Sequence, residues 1–253
     1  MLALERQKRI LEILNIEGSV MVSKLSVELG VTEETVRRDL EKLEDKELLR
    51  RTHGGALPMD EGSYELSLEK RKSLNVETKQ ALAHRAVQSI ATGDTVFLDA
   101  STTTFYMAKE IKTMKNVTVI TNSIRVIDEL CGVDGVKVIA VGGIVSNNQS
   151  FTGAVTENSI SDNYFADKVF FSVKGIGENA LVLESNEQEC FVKQRMIKNS
   201  RQSYCLCDKS KIGRIGCIKL CSFKDINYFI TDAELDSSLK SVLDEWGVEL
   251  INA

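Results

Sequence analysis

The stretch Val31–Leu40, VTEETVRRDL, decides the fold of the first part of the chain. Its Thr32 is a residue type that caps helix N-termini, and the two glutamates that follow stand in the first turn, where the helix dipole favours anions. Val36 and Leu40, with Leu43 just beyond the stretch, recur at the i, i+4 and i+7 positions of one helical face. The pattern therefore predicts a capped amphipathic helix with that face on a core.

Two further helices are predicted before this one. A first amphipathic helix, which Gly18 ends, is indicated by Leu4, Ile10, Leu11 and Leu14. After a short extended step over Ser19–Val22, Ser23 is positioned to cap a second helix, which Gly30 closes. A short helix, a tight turn with a glycine and a capped helix together form a helix-turn-helix.

The outward side of the third helix suits DNA. Arg38 lies nearly opposite its apolar face, Arg37 lies to one side and Thr35 lies on the other flank. Arginine pairs in a bidentate way with guanine edges or phosphates. The stretch Leu48–Gly55, LLRRTHGG, predicts a β-hairpin wing that touches the minor groove or the DNA backbone. The candidate DNA-binding residues are Ser23, Thr32, Thr35, Arg37, Arg38, Arg51, His53 and Gly54.

The first 55 residues form a predicted head. The charge balance leaves open another interpretation of this head, which is a three-helix bundle whose arginines only face solvent. The 253 residues include 32 Lys+Arg against 37 Asp+Glu, and by count the first 55 residues hold ten basic and eleven acidic side chains. DNA-binding domains are usually basic. A surface that gathers its arginines on one side nevertheless binds DNA at a neutral total charge, so the distribution of charge decides between the two.

The overall composition is typical of a globular protein kept in the cytoplasm. With 43% hydrophobic and 27% charged residues, the chain is too apolar for intrinsic disorder and too charged for a membrane protein. No apolar run approaches the roughly 18 residues of a membrane span, and the first residues lack a signal-peptide pattern. The six cysteines lack paired CxxC spacing, so we expect buried thiols in a reducing compartment, without a metal or a cofactor. A metal or redox role is the alternative.

A domain boundary is predicted near Pro58, the only proline, because it stands in a glycine-containing stretch without helical or strand period. We expect a DNA-binding domain over residues 1–57, a linker over 58–74 and an effector and oligomerisation domain over 75–253. In this last part, helical stretches separate several apolar strands, which are Thr95–Leu98, Val117–Ile120, Val136–Val141, Val169–Phe171, Ser203–Leu206 and Tyr228–Ile230. Such alternation predicts an α/β fold with a parallel sheet covered on both faces.

Polar or glycine residues follow five of these strands, at the edge where parallel sheets bind ligands. After the first strand, hydroxyl side chains stand before a helix predicted over Phe105–Ile111, and the N–H groups of a helix N-terminus attract anions. Each feature has a plain alternative, since a serine or threonine often only caps a helix and paired glycines often only turn. Their common edge favours a site for a phosphorylated small molecule. The candidate effector-binding residues are Asp99, Ser101, Thr102, Thr103, Thr121, Asn122, Gly142, Gly143, Lys174, Asp208 and Lys211.

Several stretches match one known family. In the head they are TVRRDL at Thr35–Leu40 and RTHGGA at Arg51–Ala56. In the predicted effector domain they are LDASTTT, VITNS, VGG, Gly153, ESNEQECFVKQRMI, CDKSKIG and a late ITD. With these stretches the chain resembles the DeoR family of bacterial transcriptional regulators. The resemblance implies an N-terminal winged helix-turn-helix joined to a Rossmann-like parallel-sheet sensor domain similar to ribose-5-phosphate isomerase. It adds Lys193 to the effector-binding residues and implies a phosphate loop over Asp99–Thr103, where Ala100 replaces a common glycine.

The implied function is that of a transcriptional repressor of a carbohydrate or polyol catabolic operon. We expect a homodimer or homotetramer on double-stranded operator DNA, controlled by a phosphorylated sugar or polyol and not acting as an enzyme. The rival class is a sugar-phosphate isomerase, which needs a general base. Where the similar isomerases carry paired aspartates the chain reads SVKGIG at Ser172–Gly177, although Glu184, Glu187 and Glu189 remain as bases. A DNA-binding protein without an effector, the third class, leaves the strand-end residues without a role.

Overall fold

The computed structural model describes residues 2–17, 19–46, 48–52, 54–58, 68–177 and 180–253. Internal contacts divide the chain into two compact units, Met1–Tyr64 and Glu65–Ala253. The predicted helix terminator Gly18 and the predicted wing residue His53 lie outside the described residues. In the part of the chain that is described, no helix is long and apolar enough to cross a bilayer. The predicted bounds of the domains and the linker stay predictions.

The first unit contains three helices and a small antiparallel sheet. The helices are α1 (Ala3–Glu17), α2 (Val22–Leu29) and α3 (Glu33–Asp45), and the strands are β1 (Val20–Met21), β2 (Leu49–Thr52) and β3 (Gly55–Pro58). The sheet has the order β1-β3-β2, and both pairings are antiparallel. This is the predicted winged helix-turn-helix, with the hairpin of β2 and β3 as its wing.

The core of the first unit follows from the apolar face of α3. Val36, Leu40 and Leu43 are at most 1% exposed, as the helical spacing predicts. Thr32 caps the helix, because its Oγ1 accepts a hydrogen bond from the Thr35 N–H at 3.3 Å. Gly30 ends α2 in the left-handed conformation at φ 63°, which glycine adopts without steric cost.

The prediction that Ser23 caps α2 is wrong. The helix begins at Val22 with Met21 in the N-cap position, and no side chain caps it. Pairing of β1 with β3 fixes Met21 opposite Gly55, and the Val22 N–H donates to Gly54 O at 2.9 Å. The tertiary contact therefore starts the helix earlier than the sequence indicates, and it leaves Ser23 exposed in the first turn.

The second unit is an α/β domain. Its helices are α4 (Leu68–Ser73), α5 (Val76–Val87), α6 (Thr102–Ile111), α7 (Ile124–Leu130), α8 (Ala154–Asn163), α9 (Glu187–Lys198) and α10 (Ser237–Trp246). The strands of its main sheet are β4 (Thr95–Leu98), β5 (Val117–Thr121), β6 (Val136–Ala140), β9 (Ala166–Ser172), β12 (Ser200–Leu206), β14 (Tyr228–Thr231) and β15 (Glu249–Asn252). The strands outside the main sheet are β7 (Ile144–Val145), β8 (Phe151–Thr152), β10 (Gly175–Ile176), β11 (Leu181–Glu184) and β13 (Ile218–Ser222).

The main sheet is parallel throughout and has the order β15-β14-β12-β9-β4-β5-β6. Successive residues of a strand point to opposite faces, so Phe97 packs with α8, α9 and α10 while Val96 and Leu98 pack with α5, α6 and α7. The predicted α/β architecture, a parallel sheet covered on both faces, is confirmed. The sequence pattern did not predict the edge strand β15, whose residues are exposed or only partly buried, or the small antiparallel sheet β10-β11-β13.

Four of the six thiols are buried, and the expectation of burial is wrong for the other two. Cys205 and Cys207 lie fully buried in one core cluster, where burial raises the pKa of Cys207 to about 12. Cys131 and Cys217 are exposed, because Cys131 stands at the C-terminal end of α7 and Cys217 immediately before β13. The buried thiols are held in their protonated, unreactive form.

Candidate functional site

The two arginines of α3 face outward, as the helical spacing predicts. The side chain of Arg37 is 52% exposed and that of Arg38 is 73% exposed. Thr35, on the flank, is partly buried, and its hydroxyl lies 2.9 Å from that of Thr32. The first unit therefore presents a guanidinium surface on the side of α3 opposite its core.

A carboxylate that the sequence analysis did not select holds α3 against α1. Asp39 is 2% exposed; its Oδ1 accepts a hydrogen bond from Gln7 Nε2 at 3.1 Å, and its Oδ2 pairs with Arg6 Nε. A buried carboxylate needs such partners, since an unpaired charge in a core is strongly destabilising. The sequence signal for this buried role was the position of Asp39 between Arg38 and Leu40, beside the apolar face of α3.

The wing places Arg51 beside the acidic residues near the C-terminal end of α3. The Arg51 N–H donates to Glu44 Oε1 at 2.8 Å, and the guanidinium lies 3.9 Å from carboxylate oxygens of Glu41 and Glu44. Gly54 is exposed at the turn, and its carbonyl accepts the hydrogen bond from Val22. The wing is thus attached to both α2 and α3.

In the second unit, Asp99 fastens the loop after β4. It is fully buried, and its Oδ1 accepts hydrogen bonds from the Ser101 N–H at 3.1 Å and from Thr104 Oγ1 at 2.7 Å. Its Oδ2 accepts from the Ser172 N–H at 3.1 Å and lies 3.2 Å from Lys193 Nζ. With both oxygens occupied, Asp99 shapes the loop and has little capacity left for a ligand.

The loop leads into α6, which begins three residues earlier than predicted, at Thr102. Ser101 is the N-cap and accepts a hydrogen bond from the Thr104 N–H at 3.2 Å. The N–H groups of Thr102 and Thr103 belong to the first helical turn and have no acceptor within the helix. Thr103 Oγ1 is buried and has no hydrogen-bond partner among the described residues. These donors converge where the helix dipole favours an anion.

The end of the neighbouring strand β5 offers an acceptor. Asn122 is 1% exposed, and its Nδ2 donates to Phe151 O at 3.1 Å and to Glu189 Oε2 at 3.5 Å. Both partners are acceptors, which fixes the orientation of the amide. The remaining atom, Asn122 Oδ1, is buried without a partner in the described part of the chain. Thr121 Oγ1, by contrast, donates to Leu98 O at 2.7 Å and accepts from the Ser123 N–H.

Of the two glycines after β6, only Gly143 has a packing role. A Cβ on Gly143, where φ is 150°, would lie 1.9 Å from Thr156 Oγ1, and that hydroxyl donates to Gly142 O at 2.7 Å. A Cβ on Gly142 would meet nothing within 4 Å. Close approach of α8 therefore accounts for Gly143.

Lys193 is the buried centre of an ionic network. Its Nζ donates to Ser172 O at 2.7 Å, pairs with Glu184 and faces Asp99. Burial alone lowers the pKa of Lys193, but the carboxylates of Glu184 and Asp99 outweigh it and raise that pKa above its usual value. Lys193 is therefore charged, and it stabilises the loop after β4 through Asp99.

Lys211 and Asp208 lie together after β12. Lys211 Nζ lies 2.7 Å from Ser172 Oγ and 3.8 Å from Asp208 Oδ2. Burial acts to raise the pKa of Asp208, but Lys211 and Ser210 outweigh it and hold this pKa below the usual value. Lys174, the remaining predicted lysine, is partly buried after β9, and its N–H donates to Leu183 O at 3.0 Å.

Two cations were missed by the sequence analysis. Lys79 of α5 is 4% exposed, and its Nζ donates to the carbonyls of Arg71 and Leu74. Burial, together with the charges of Lys211, Arg71 and Arg125, lowers the pKa of Lys79 to about 8. A lysine three residues before Leu82, on the apolar face of a helix, was the signal for it.

The second missed cation is Arg125, in the first turn of α7. Its Cζ lies 3.8 Å from the ring centroid of Phe105, a cation–π contact that orients the guanidinium. Arg125 Nη1 is buried and has no partner among the residues that the structure describes. Burial lowers the pKa of Arg125 below its usual value.

Comparison with known proteins identifies both units. The family description "DeoR-like helix-turn-helix domain" matches residues 6–61, and "DeoR C terminal sensor domain" matches residues 74–233. The HTH-type transcriptional regulator YulB of Bacillus subtilis (strain 168) is 41% identical over 97% of this chain and 95% of its own. The lactose phosphotransferase system repressor of Staphylococcus epidermidis is 33% identical over 90% of this chain and 91% of its own.

A solved structure of ribose 5-phosphate isomerase from Methanocaldococcus jannaschii is similar over 55% of each chain, with 15% sequence identity and a TM-score of 0.42. A likeness of this size carries no argument about function.

The fold and the matched relatives define a DNA-binding transcriptional regulator with a separate sensor unit. The chain belongs to the DeoR family. The predicted resemblance is confirmed, and so is the prediction of a regulator rather than a sugar-phosphate isomerase, since the matched relatives are named as regulators and repressors. The assignments of individual residues to DNA or effector stay predictions.

Proposed function

We propose that this protein represses a carbohydrate or polyol catabolic operon and that a phosphorylated sugar or polyol, bound at the strand ends of the second unit, releases it from the operator. Membership of a family of transcriptional regulators supports the class of function. The name of the similar lactose phosphotransferase system repressor supports the proposal of a carbohydrate operon. The relation between this ligand and DNA binding is the part that experiments have to test.

One observation carries the choice of ligand: two buried polar atoms, neither with a partner among the residues that the structure describes, stand after adjacent strands. Thr103 Oγ1, at the N-terminus of α6, can donate to an anion, and Asn122 Oδ1, after β5, requires a donor such as a hydroxyl. A buried polar atom without a partner costs about 1–3 kcal/mol. A ligand with a phosphate and free hydroxyls satisfies both atoms.

The remaining residues divide into two groups in this proposal. The first group shapes the site without contacting the ligand, because its polar atoms or contacts are taken up within the protein. It consists of Asp99, Lys193, Thr121 and Gly143. We assign to the ligand's phosphate the cations Lys79, Lys211 and Arg125, since the charges of the last two act on Lys79, together with Lys174. Their positive charges strengthen a hydrogen bond to phosphate, since charge-assisted hydrogen bonds are about twice as strong as neutral ones.

For DNA, we propose that α3 enters the major groove with Arg37 and Arg38 on base edges or phosphates, while the wing contacts the backbone through Arg51. Operators with two half-sites call for two such heads, so we propose a homodimer or homotetramer assembled through the second unit. A ligand that favours the non-binding arrangement by about 1.4 kcal/mol relieves repression tenfold.

A thermal-shift screen tests the ligand. Glucose 6-phosphate, fructose 1-phosphate and glycerol 3-phosphate are each compared with the unphosphorylated parent and with inorganic phosphate. We expect a phosphorylated compound to raise the melting temperature most and to displace a DNA duplex that the protein has selected from a random pool. Equal stabilisation by the unphosphorylated parents would contradict the phosphate assignment.

An arginine double variant tests the DNA surface. Because both side chains are exposed, Arg37→Ala/Arg38→Ala should abolish binding of the selected duplex, measured by fluorescence anisotropy, while the melting temperature stays that of the wild type. Each direct base contact is worth about 1–3 kcal/mol, so single variants should lose measurable affinity. Wild-type DNA affinity in the double variant would refute the recognition-helix assignment.

A further inference from the structure

The two arginines on the outward side of α3 are each paired with a glutamate one helical turn earlier. Arg37 Nη2 lies 2.7 Å from Glu33 Oε2, and Arg38 Nε lies 3.3 Å from Glu34 Oε1. The two glutamate side chains are 47% and 64% exposed. Exposed ion pairs of this kind contribute about 0–1 kcal/mol to stability, so the fold does not depend on the two carboxylates.

The position of the glutamates opposes binding to phosphates. Glu33 and Glu34 are the first two residues of α3, and a recognition helix directs its N-terminal residues at the base edges of the major groove. Binding to arbitrary DNA rests on contacts between basic side chains and phosphates. A glutamate that neutralises an arginine at this end of the helix removes such a contact and adds a repelled charge.

Base edges offer these carboxylates a compensation that phosphates do not. Arginine donates to guanine O6 and N7, and glutamate accepts a hydrogen bond from cytosine N4. The i,i+4 spacing puts Glu33 on the same side of the helix as Arg37, and Glu34 on the same side as Arg38. Each pair therefore presents donors and an acceptor together, the combination that matches G·C base pairs.

We propose that Glu33 and Glu34 determine the DNA specificity of this protein: they weaken binding to arbitrary sequences, and their cost is offset only where the carboxylates accept hydrogen bonds from cytosine. The inference rests on the proposed function, because it requires α3 in the major groove. It goes beyond that function by assigning the selectivity to two acidic residues of a basic surface.

The test uses the full chain and the variant Glu33→Gln/Glu34→Gln. Dissociation constants are measured by fluorescence anisotropy, over a series of KCl concentrations, for the duplex selected by the wild type and for a random-sequence duplex of the same length. Each arginine released to a phosphate steepens the slope of log K against log salt by about 0.9. We expect binding of the random duplex to tighten about tenfold at 100 mM KCl, while binding of the selected duplex does not tighten.

Glu12→Gln is the matched control. Glu12 of α1 forms a similar exposed pair, with its Oε2 3.1 Å from Arg9 Nη1, but it lies outside α3. This variant has the same change of net charge per residue and should leave both affinities within about twofold of the wild type. A selection from random DNA with the double variant should also lose preference at G·C positions that the wild type selects.

Two results would overturn the inference: equal tightening on both duplexes, or a double variant that behaves like Glu12→Gln. The variant Arg37→Ala/Arg38→Ala, titrated beside it, separates this failure from a failure of the proposed function. If the arginine variant retains the selected duplex, α3 is not the recognition helix. If the arginine variant loses it while the glutamine variant tightens on both duplexes, only the role of the glutamates is wrong.

Discussion

Replacing Thr103 with valine should change stability and ligand affinity in opposite directions. Thr103 is 1% exposed, and its Oγ1 has no partner among the described residues. A buried hydroxyl without a hydrogen-bond partner costs about 1–3 kcal/mol. Valine keeps the branched shape at Cβ, and its helix propensity is close to that of threonine. We therefore expect the free energy of unfolding of Thr103→Val to rise by about 1 kcal/mol.

The same change should weaken the effector. A hydrogen bond to a charged group contributes about 1.5–3 kcal/mol, and 1.4 kcal/mol corresponds to a factor of ten in affinity. Loss of the hydroxyl should thus raise the dissociation constant of the stabilising sugar phosphate about 10- to 150-fold. Isothermal titration calorimetry measures this constant, and urea denaturation of the ligand-free protein measures the stability.

Thr104→Val, one residue further along α6, is the control. Thr104 Oγ1 donates to Asp99 Oδ1 at 2.7 Å and lies 2.9 Å from Asp99 O, so its loss leaves a buried carboxylate short of a donor. We expect this variant to be less stable than the wild type, by about 1–3 kcal/mol. A Thr103→Val protein that is destabilised like Thr104→Val, with unchanged ligand affinity, would refute the assignment of Thr103 to the anion site.

Three other outcomes follow from the second unit. Burial and positive neighbours lower the pKa of Lys79 to about 8, and a bound anion would raise it. Effector affinity should therefore fall as the pH rises from 7 to 9; calorimetry over this range checks this, and Lys79→Met should lose the dependence. Gly143→Ala should lower the melting temperature because of the 1.9 Å approach to Thr156, whereas Gly142→Ala, with open space around it, should not. Lys193→Met removes the cation beside the buried carboxylates of Asp99 and Glu184, so chemical denaturation should show a loss of about 3–5 kcal/mol.

The main elements could be predicted because their signals are local. The spacing of Val36, Leu40 and Leu43 identifies α3 in any context, and the continuous apolar run Thr95–Leu98 identifies a strand buried on both faces. The start of α2 could not be predicted, since it depends on the pairing of Met21 with Gly55, 34 positions further along the chain. The edge strand β15 was missed for a similar reason, because pairing with β14 rather than burial defines it.

The candidate site, too, could be predicted only in part from the sequence. The residue types at the strand ends, hydroxyls before α6 and an amide after β5, are visible in the sequence because the carboxyl ends of parallel strands share one edge. Their roles are not visible. Asp99 and Thr103 stand four residues apart in one motif. The first has both carboxylate oxygens bonded within the protein, and the second has a hydroxyl without a partner in the described part of the chain.

The sequence by itself determined the family and the order of the main helices and strands, and it predicted the edge of the sheet for a ligand, because periodicity, capping residues and motif stretches act over a few neighbouring positions. Only the tertiary structure decided which polar atoms remain unsatisfied there. The packing of the fold also buries Lys79, places Arg125 over the ring of Phe105 and pairs Lys193 with Asp99. Hydrogen bonds and burial depend on distances in space, which local residue patterns do not contain.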